Sequence, residues 1–356
     1  DLFITLGYIV LLSLSFASLL TTESKSFEVY WNIPTYLCKN HGVSFTDVTK
    51  YGIIQNAKDE FRGDKIAILY EPGHFPALVM NKTTKKLDEH YGGVPQRGNI
   101  SDHLKAFEEV LEKLIKKNFS GVGVIDFEMW RPIYRHNFGV LQVYKNFSED
   151  IVKKEHKIYD KNELVKRASE QYEPPARDFM NRTLLLAKQL RPNASWGYYA
   201  FPYCFNINGA KDGKEDCAKL VQKENDLLQG WLFNESQIIF PAGYLQTNLD
   251  LENRTKLVSG RVKEAVRVAN QTKATPLPRV LTYMRFVFTD NITQFLTQDD
   301  WNHILPAMKG NGSDGLILWG SSEDVKSKEN CTQFKKYMDS TLGPILKNFT
   351  AKIDKK

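Results

Sequence analysis

Asp126 and Glu128 stand two residues apart at the end of Gly121-Val122-Gly123-Val124-Ile125-Asp126-Phe127-Glu128-Met129-Trp130-Arg131. The run before them is small and β-branched, the composition of a strand buried on both faces. Side chains at i and i+2 of a strand share a face and lie ~7 Å apart. Both carboxyls therefore open into one space at the strand's C-terminal end, where parallel α/β folds assemble their sites. Partial burial and a neighbouring carboxylate raise a carboxyl's pKa, which lets Glu128 keep a proton and act as a general acid. Because the two acids are coupled, which of them holds the proton stays open. The competing reading is a strand end whose carboxylates are solvated or paired with Arg131.

Positioning such a pair takes a scaffold, and the sequence supplies a repeating one. Apolar runs at 28–34, 65–70, 195–201, 238–245, 279–286 and 315–322 join the Asp126/Glu128 run to make seven expected strands. Helical spacing separates most of them. Leu104, Phe107, Val110, Leu111 and Leu114 follow Ser101 as an expected N-cap. A second stretch over 164–190 is expected to break at Pro174-Pro175. Shorter helices are expected up to about Leu228, then over 257–268, 299–308 and 332–349, while 81–100 reads as loop. Alternating β and α elements without a composition shift imply a single α/β domain, a parallel (β/α)7 TIM-like barrel. Tyr70, Trp130, Tyr199, Tyr244 and Trp319 fall near strand C-termini, which a barrel gathers at one mouth. Aromatic faces beside carboxylates suit stacking on sugar rings; the alternative is ordinary core and loop packing.

The 356 residues, 42% of them apolar, suffice for a large core. A formal charge of +6 and a pI near 8.9 favour polyanions mildly. Lys and Arg are scattered, with doublets such as Lys85-Lys86 and Lys153-Lys154 but no basic stripe, so nucleic acid is not expected as a partner. Residues 1–26 read as a signal peptide and short leader, which leaves no stable membrane association after cleavage. The barrel is expected over 27–350 and a polar tail over 351–356. Thirteen Asn-X-Ser/Thr sites are present. Twelve are glycosylation candidates: Asn81, Asn99, Asn118, Asn146, Asn181, Asn193, Asn234, Asn253, Asn270, Asn291, Asn311 and Asn348. The thirteenth, Asn330, has Cys in its middle position. Four cysteines suit two disulfides in an oxidising compartment. Cys204 and Cys217 are close enough for a local staple, which leaves Cys38 with Cys331. Together these features read as a secreted, extracellular glycoprotein.

These residues, taken in order, resemble the hyaluronidases, most closely the insect venom and salivary type. The resemblance rests on Tyr30-Trp31-Asn32-Ile33-Pro34, Ile68-Leu69-Tyr70-Glu71-Pro72-Gly73, Gly98-Asn99 and Asp126-Phe127-Glu128-Met129-Trp130-Arg131-Pro132. It continues in Trp196-Gly197-Tyr198-Tyr199, Gly260-Arg261-Val262-Lys263-Glu264-Ala265 and Leu318-Trp319-Gly320-Ser321-Ser322. It covers the chain from Phe27 to about Asn348. It implies a distorted seven-stranded barrel, Glu128 as proton donor and Asp126 as the group that orients the substrate's N-acetyl group. It further implies that Tyr199, Tyr244 and Trp319 line the sugar subsite, with Tyr70 and Arg131 nearby, and that the disulfides are Cys38–Cys331 and Cys204–Cys217. The type implies a venom or salivary spreading factor of the allergen class. Met129 and Glu71 depart from the family's usual residues beside the groove.

The expected activity is endo-cleavage of β-1,4 bonds between N-acetylglucosamine and glucuronate in hyaluronan, with chondroitin as an expected side substrate. Glycosidases that use two carboxyls set them on opposite sides of the scissile bond. Asp126 and Glu128 share one strand and one face, so a single acid with the sugar's acetamido group as internal nucleophile fits better, with retention. Two rivals stand beside this reading: a weak or silent glycosaminoglycan-binding homologue, and a hydrolase that prefers chondroitin. No metal or cofactor is expected. The seven histidines show no H-E-x-x-H spacing, and there is no G-x-S-x-G elbow, P-loop or dinucleotide fingerprint.

Overall fold

The computed structural model describes residues 26–156, 160–207 and 214–353. The expected leader lies outside them except for Ser26, and the expected tail lies outside from residue 354 on. Seven strands run parallel: β1 (Glu28–Asn32), β2 (Ile66–Tyr70), β5 (Val122–Asp126), β6 (Ser195–Tyr198), β7 (Ile238–Ile239), β8 (Arg279–Arg285) and β9 (Gly315–Trp319). β3 (Ala77–Met80) and β4 (Leu87–His90) form an antiparallel hairpin between β2 and the first helix. The helices are α1 (Ile100–Leu114), α2 (Gln142–Glu155), α3 (Lys161–Leu190), α4 (Lys219–Glu235), α5 (Leu251–Gln271), α6 (Gln298–Gly310), α7 (Lys328–Tyr337) and α8 (Gly343–Ile353).

The parallel strands form two ladders, β2-β5-β6 and β7-β8-β9-β1, joined at two seams. Between β6 and β7 the join is a bridge from Tyr199 to Phe240, flanked by Gln237 N–H on Trp196 O and Ala200 N–H on Phe240 O. Between β1 and β2 no ladder forms. Ile54 pairs with Tyr30, and the buried Asn56 side chain bonds the backbone of Lys65 and Ile66. Isolated bridges and the Asn56 side chain thus pair seam backbone groups in place of a regular ladder, which is the physical content of a distorted barrel.

Strand alternation sorts the core into a lumen and an outer layer. Tyr30, Ile66, Ile68, Val122, Val124, Ile238, Phe240, Leu281, Tyr283 and Ile317 form one buried cluster drawn from six strands, and Tyr199 closes it beyond β6. The other phase, including Ile125, Phe127, Trp196 and Tyr198, packs outward against helices. Continued upward, the inward phase brings Asn32, Tyr70, Asp126, Glu128, Tyr199, Tyr244, Arg285 and Trp319 to the C-terminal mouth.

Four local expectations are corrected. The stretch read as loop over 81–100 contains β4, because the chain pairs back on Ala77–Met80. Asn99, not Ser101, caps α1: its Oδ1 accepts from Ser101 N at 3.0 Å and Asp102 N at 3.2 Å. α3 does not break at Pro174-Pro175. The prolines cost it two N–H donors, but Tyr172, Ala176, Phe179 and Met180 bury on both sides of the pair and hold the two halves in line. The C-terminal helix is two, α7 and α8, joined by a π-turn over Met338–Leu342.

Both disulfides form as expected. Cys38–Cys331 joins residues 293 apart in sequence, and Cys204–Cys217 closes a short loop before α4. Among the described residues no helix is long and apolar enough to cross a membrane.

Candidate active site

β5 is short, fully buried and inward-facing at Val122 and Val124, so its next inward positions must carry Asp126 and then Glu128 into the mouth. Asp126 is 8% exposed, whereas Glu128 stands exposed above it. Burial, then the charges of Glu128 and Glu71, push the Asp126 carboxyl up to about 8. Desolvation by the walls of the mouth also raises Glu128, with Arg131 pulling it down and Glu71 pushing it up. Glu71 lies in the turn after β2 with φ +42°, its N–H donating to Asp126 O at 2.7 Å, and burial raises its carboxyl too. Three carboxyls thus crowd one end of the mouth, and at neutral pH the Asp126–Glu128 pair retains at least one proton.

The facing wall is aromatic. Tyr199 and Tyr244 have ring centroids 6.1 Å apart, and Tyr244 stacks on Trp319 at 5.9 Å. Trp319 Nε1 donates to Tyr70 Oη at 2.9 Å. Burial drives the phenols of Tyr199 and Tyr244 far above their ordinary value and takes Tyr70 to about 12, so all three are neutral hydroxyls. Arg285 supports this wall. Its guanidinium lies 5.4 Å from the Trp319 ring and its Nη2 donates to both Asp324 oxygens, at 2.7 and 2.8 Å. Asp324 also accepts from Ser321 N, so this carboxylate is fully engaged.

Beyond Glu128 a cavity of about 220 Å³ opens among Arg131, Tyr199, Tyr203, Phe205 and Arg261. Arg261, from α5, donates to Ala242 O at 2.6 Å and Asn206 Oδ1 at 3.0 Å. Burial lowers its guanidinium to about 10, still cationic at neutral pH. A larger hollow of about 440 Å³ lies outside the barrel between α3 and α4, around Glu173, Arg177 and Trp231. Its lining includes Pro132 and Ile133 from the loop after Glu128, but neither of the acids.

The structure brings together Tyr70, Asp126, Glu128, Arg131, Tyr199, Tyr244 and Trp319, the seven residues singled out in the sequence. Trp130 does not join them. It is 1% exposed in the outer core with its Nε1 on Pro76 O, because the backbone turns outward after Glu128. Met129 likewise packs against the outer core and does not line the cavity. Arg285, Arg261, Tyr203 and Phe205 escaped the sequence reading. Arg285 was recoverable from alternation on β8, where Leu281, Tyr283 and Arg285 share the inward phase. The other three arrive from a helix and a loop, where no strand period reports direction. Among the described residues no group of three or more His, Cys, Asp or Glu is arranged to hold a metal ion.

With this geometry fixed, comparison with known proteins is direct. A family model described as hyaluronidase matches residues 17–355. The chain is 47% identical to hyaluronidase Tab y 2.0101 of Tabanus yao over 324 residues, covering 90% of this chain and 92% of that one. It is 46% identical to a hyaluronidase of Vespa magnifica over 330 residues, covering 92% and 91%. The crystal structure of bee venom hyaluronidase in complex with a hyaluronic acid tetramer superposes with a TM-score of 0.87 at 42% identity, covering 91% of this chain and 99% of the other.

Proposed function

The chain belongs to the hyaluronidase family, and we propose that it cleaves hyaluronan by substrate-assisted retention with Glu128 as the acid. It is a glycoside hydrolase acting within the anionic polysaccharide chain. Glu128 donates its proton to the glycosidic oxygen as the bond to C1 breaks. The acetamido oxygen of the same sugar bonds C1 from the opposite face, giving a bicyclic oxazolinium. The Glu128 carboxylate then takes a proton from the water that attacks C1 and reopens the ring. Two inversions at C1 leave net retention.

Asp126 accepts from the acetamido N–H and faces the positive charge that develops there. Both interactions favour its ionised form and move the pair's proton to Glu128, the member open to the cavity. Tyr199 and Tyr244 hold the acetamido group from the other side, and Trp319 with Tyr70 forms the platform for the ring. The observation that carries this reading is the one-sided placement of the acids. The facing wall offers Tyr244, Trp319 and Arg285, and its carboxylate Asp324 is bound to Arg285, so the nucleophile must come with the substrate.

The test is polymer size and anomer. Purified protein incubated with hyaluronan should shorten it at internal bonds, with the β-anomer appearing first at the new reducing end by NMR. Glu128→Gln should lower the rate by at least ~10²-fold. Wild-type activity in that variant would remove Glu128 from the acid role, and an initial α-anomer would overturn retention. Chondroitin run in parallel reports the breadth of the site.

Secretion is part of the same reading, supported by two disulfides and by sequons on exposed backbone. Asn99, Asn118, Asn146, Asn193, Asn234, Asn270 and Asn348 are exposed and are the glycan sites we favour. Asn81, Asn253, Asn291 and Asn311 spend their Nδ2 on Asp88, Asp250, Gln294 Oε1 and Ala307 O. Asn181 is half-buried within α3. Intact mass before and after deglycosylation, with peptide mapping, separates the two groups.

A further inference from the structure

Arg131 is fixed more thoroughly than a groove-lining arginine requires. The Asn137 side chain, fully buried, pairs with its main chain on both sides: Oδ1 accepts from Arg131 N at 2.9 Å and Nδ2 donates to Arg131 O at 2.9 Å. The same Nδ2 reaches Ile133 O and Tyr134 O at 3.2 and 3.3 Å. Tyr172 Oη, from α3, adds a bond to Arg131 O at 3.1 Å. The guanidinium is held as closely. Nη1 donates to His136 O at 2.6 Å, and Cζ lies 4.4, 5.0 and 5.1 Å from the rings of Tyr203, Phe138 and Phe205.

His136 is itself fully buried, its Nε2 bonded to Glu224 Oε2 on α4 at 2.9 Å. Arg135 forks onto the same carboxylate. One anion on a helix therefore anchors the loop whose carbonyl receives the Arg131 guanidinium. We infer that Asn137 and Glu224 are positioning residues which hold the Arg131 cation against Glu128 without touching the sugar. The inference rests on Glu128 being the acid.

The charged and titratable groups facing this spot are Asp126 from β5 and Glu128 just beyond it, Tyr70 and Glu71 from the end of β2 and its turn, Tyr199 and Tyr203 beyond β6, Arg261 from α5, and His136 with its partners Arg135 and Glu224. Arg131 is the cation that pulls Glu128 down. A loosened Arg131 leaves the acid protonated to higher pH, so the alkaline limb of kcat/KM moves upward.

Asn137→Ala and Glu224→Gln, each assayed on hyaluronan across pH and melted by calorimetry, test this. Each limb should rise by about half a pH unit or more. Arg131→Leu should show the same displacement, and adding Glu224→Gln to it should displace the limb no further. A lowered Tm with the limb where the wild type has it would assign both residues a purely structural role and overturn the inference. So would displacements that add in the double variant. If Asn137→Ala does not fold, Glu224→Gln carries the test, since it keeps the side chain's shape and removes only the charge. Activity surviving in Glu128→Gln would instead reject the acid assignment, a separate failure.

Discussion

At the scale of single residues, the site is a balance between burial and charge, and Asp126 carries the cost. Its carboxyl is raised to about 8 in the fold against 3.8 for an ordinary aspartate. From about pH 4 to pH 8 the unfolded chain has released a proton that the fold keeps, so this group's contribution to stability declines as pH rises through that window. Asp126→Asn removes the dependence. It should raise Tm by a few degrees at pH 8, leave it nearly unchanged at pH 4, and abolish most activity. Calorimetry at the two pH values checks the sign. The same pair sets the enzymatic profile: hyaluronan cleavage should persist well above the ordinary carboxylate range of about 4 and fall on the alkaline side as the pair loses its last proton. A kcat/KM profile with an alkaline limb near that ordinary value would mean that the carboxyls are not coupled as the packing requires.

At the scale of elements, seven strand positions and the helices around 257–268 and 299–308 were legible because apolar periodicity reports burial. The failures have particular causes. A two-proline helix survives where packing on Tyr172, Ala176, Phe179 and Met180 outweighs two lost hydrogen bonds. A strand whose four residues are all exposed, Leu87-Asp88-Glu89-His90, has no apolar period to announce it. Close approach was likewise invisible in the sequence. A Cβ on Gly197 would sit 2.0 Å from Ile238 O at the bridged seam between β6 and β7. Gly197→Ala should therefore cost about 2–3 kcal/mol and impair activity, because the same seam carries Tyr199. Urea unfolding with activity measured on the folded fraction separates the two effects.

At the scale of the whole molecule, the disulfides divide the labour. Cys38–Cys331 links sequence positions 293 apart, Cys204–Cys217 only 13. Loop-closure entropy makes the long link the larger stabiliser by about 3 kcal/mol. Replacing Cys38 and Cys331 with Ala should lower Tm more than replacing Cys204 and Cys217. The second pair should lower activity more, since Tyr203 and Phe205 flank Cys204 and form the wall around Arg131. Thermal melts and hyaluronan turnover on both double variants decide this, and the reverse order in either readout would contradict it.

The sequence by itself determined which residues could do the chemistry and that a parallel α/β scaffold presents them. Period-2 alternation carries a carboxylate's direction from one strand position to the next, and seven strands of one hand leave few ways to close. Tertiary structure alone decided what surrounds those carboxyls. Trp130 left the groove for the core, while Arg261, Arg285, Tyr203 and Phe205 entered it. Asn137 and Glu224 became the supports of Arg131. Their directions are set by helix packing and loop closure between residues far apart in the chain, and no local period encodes them.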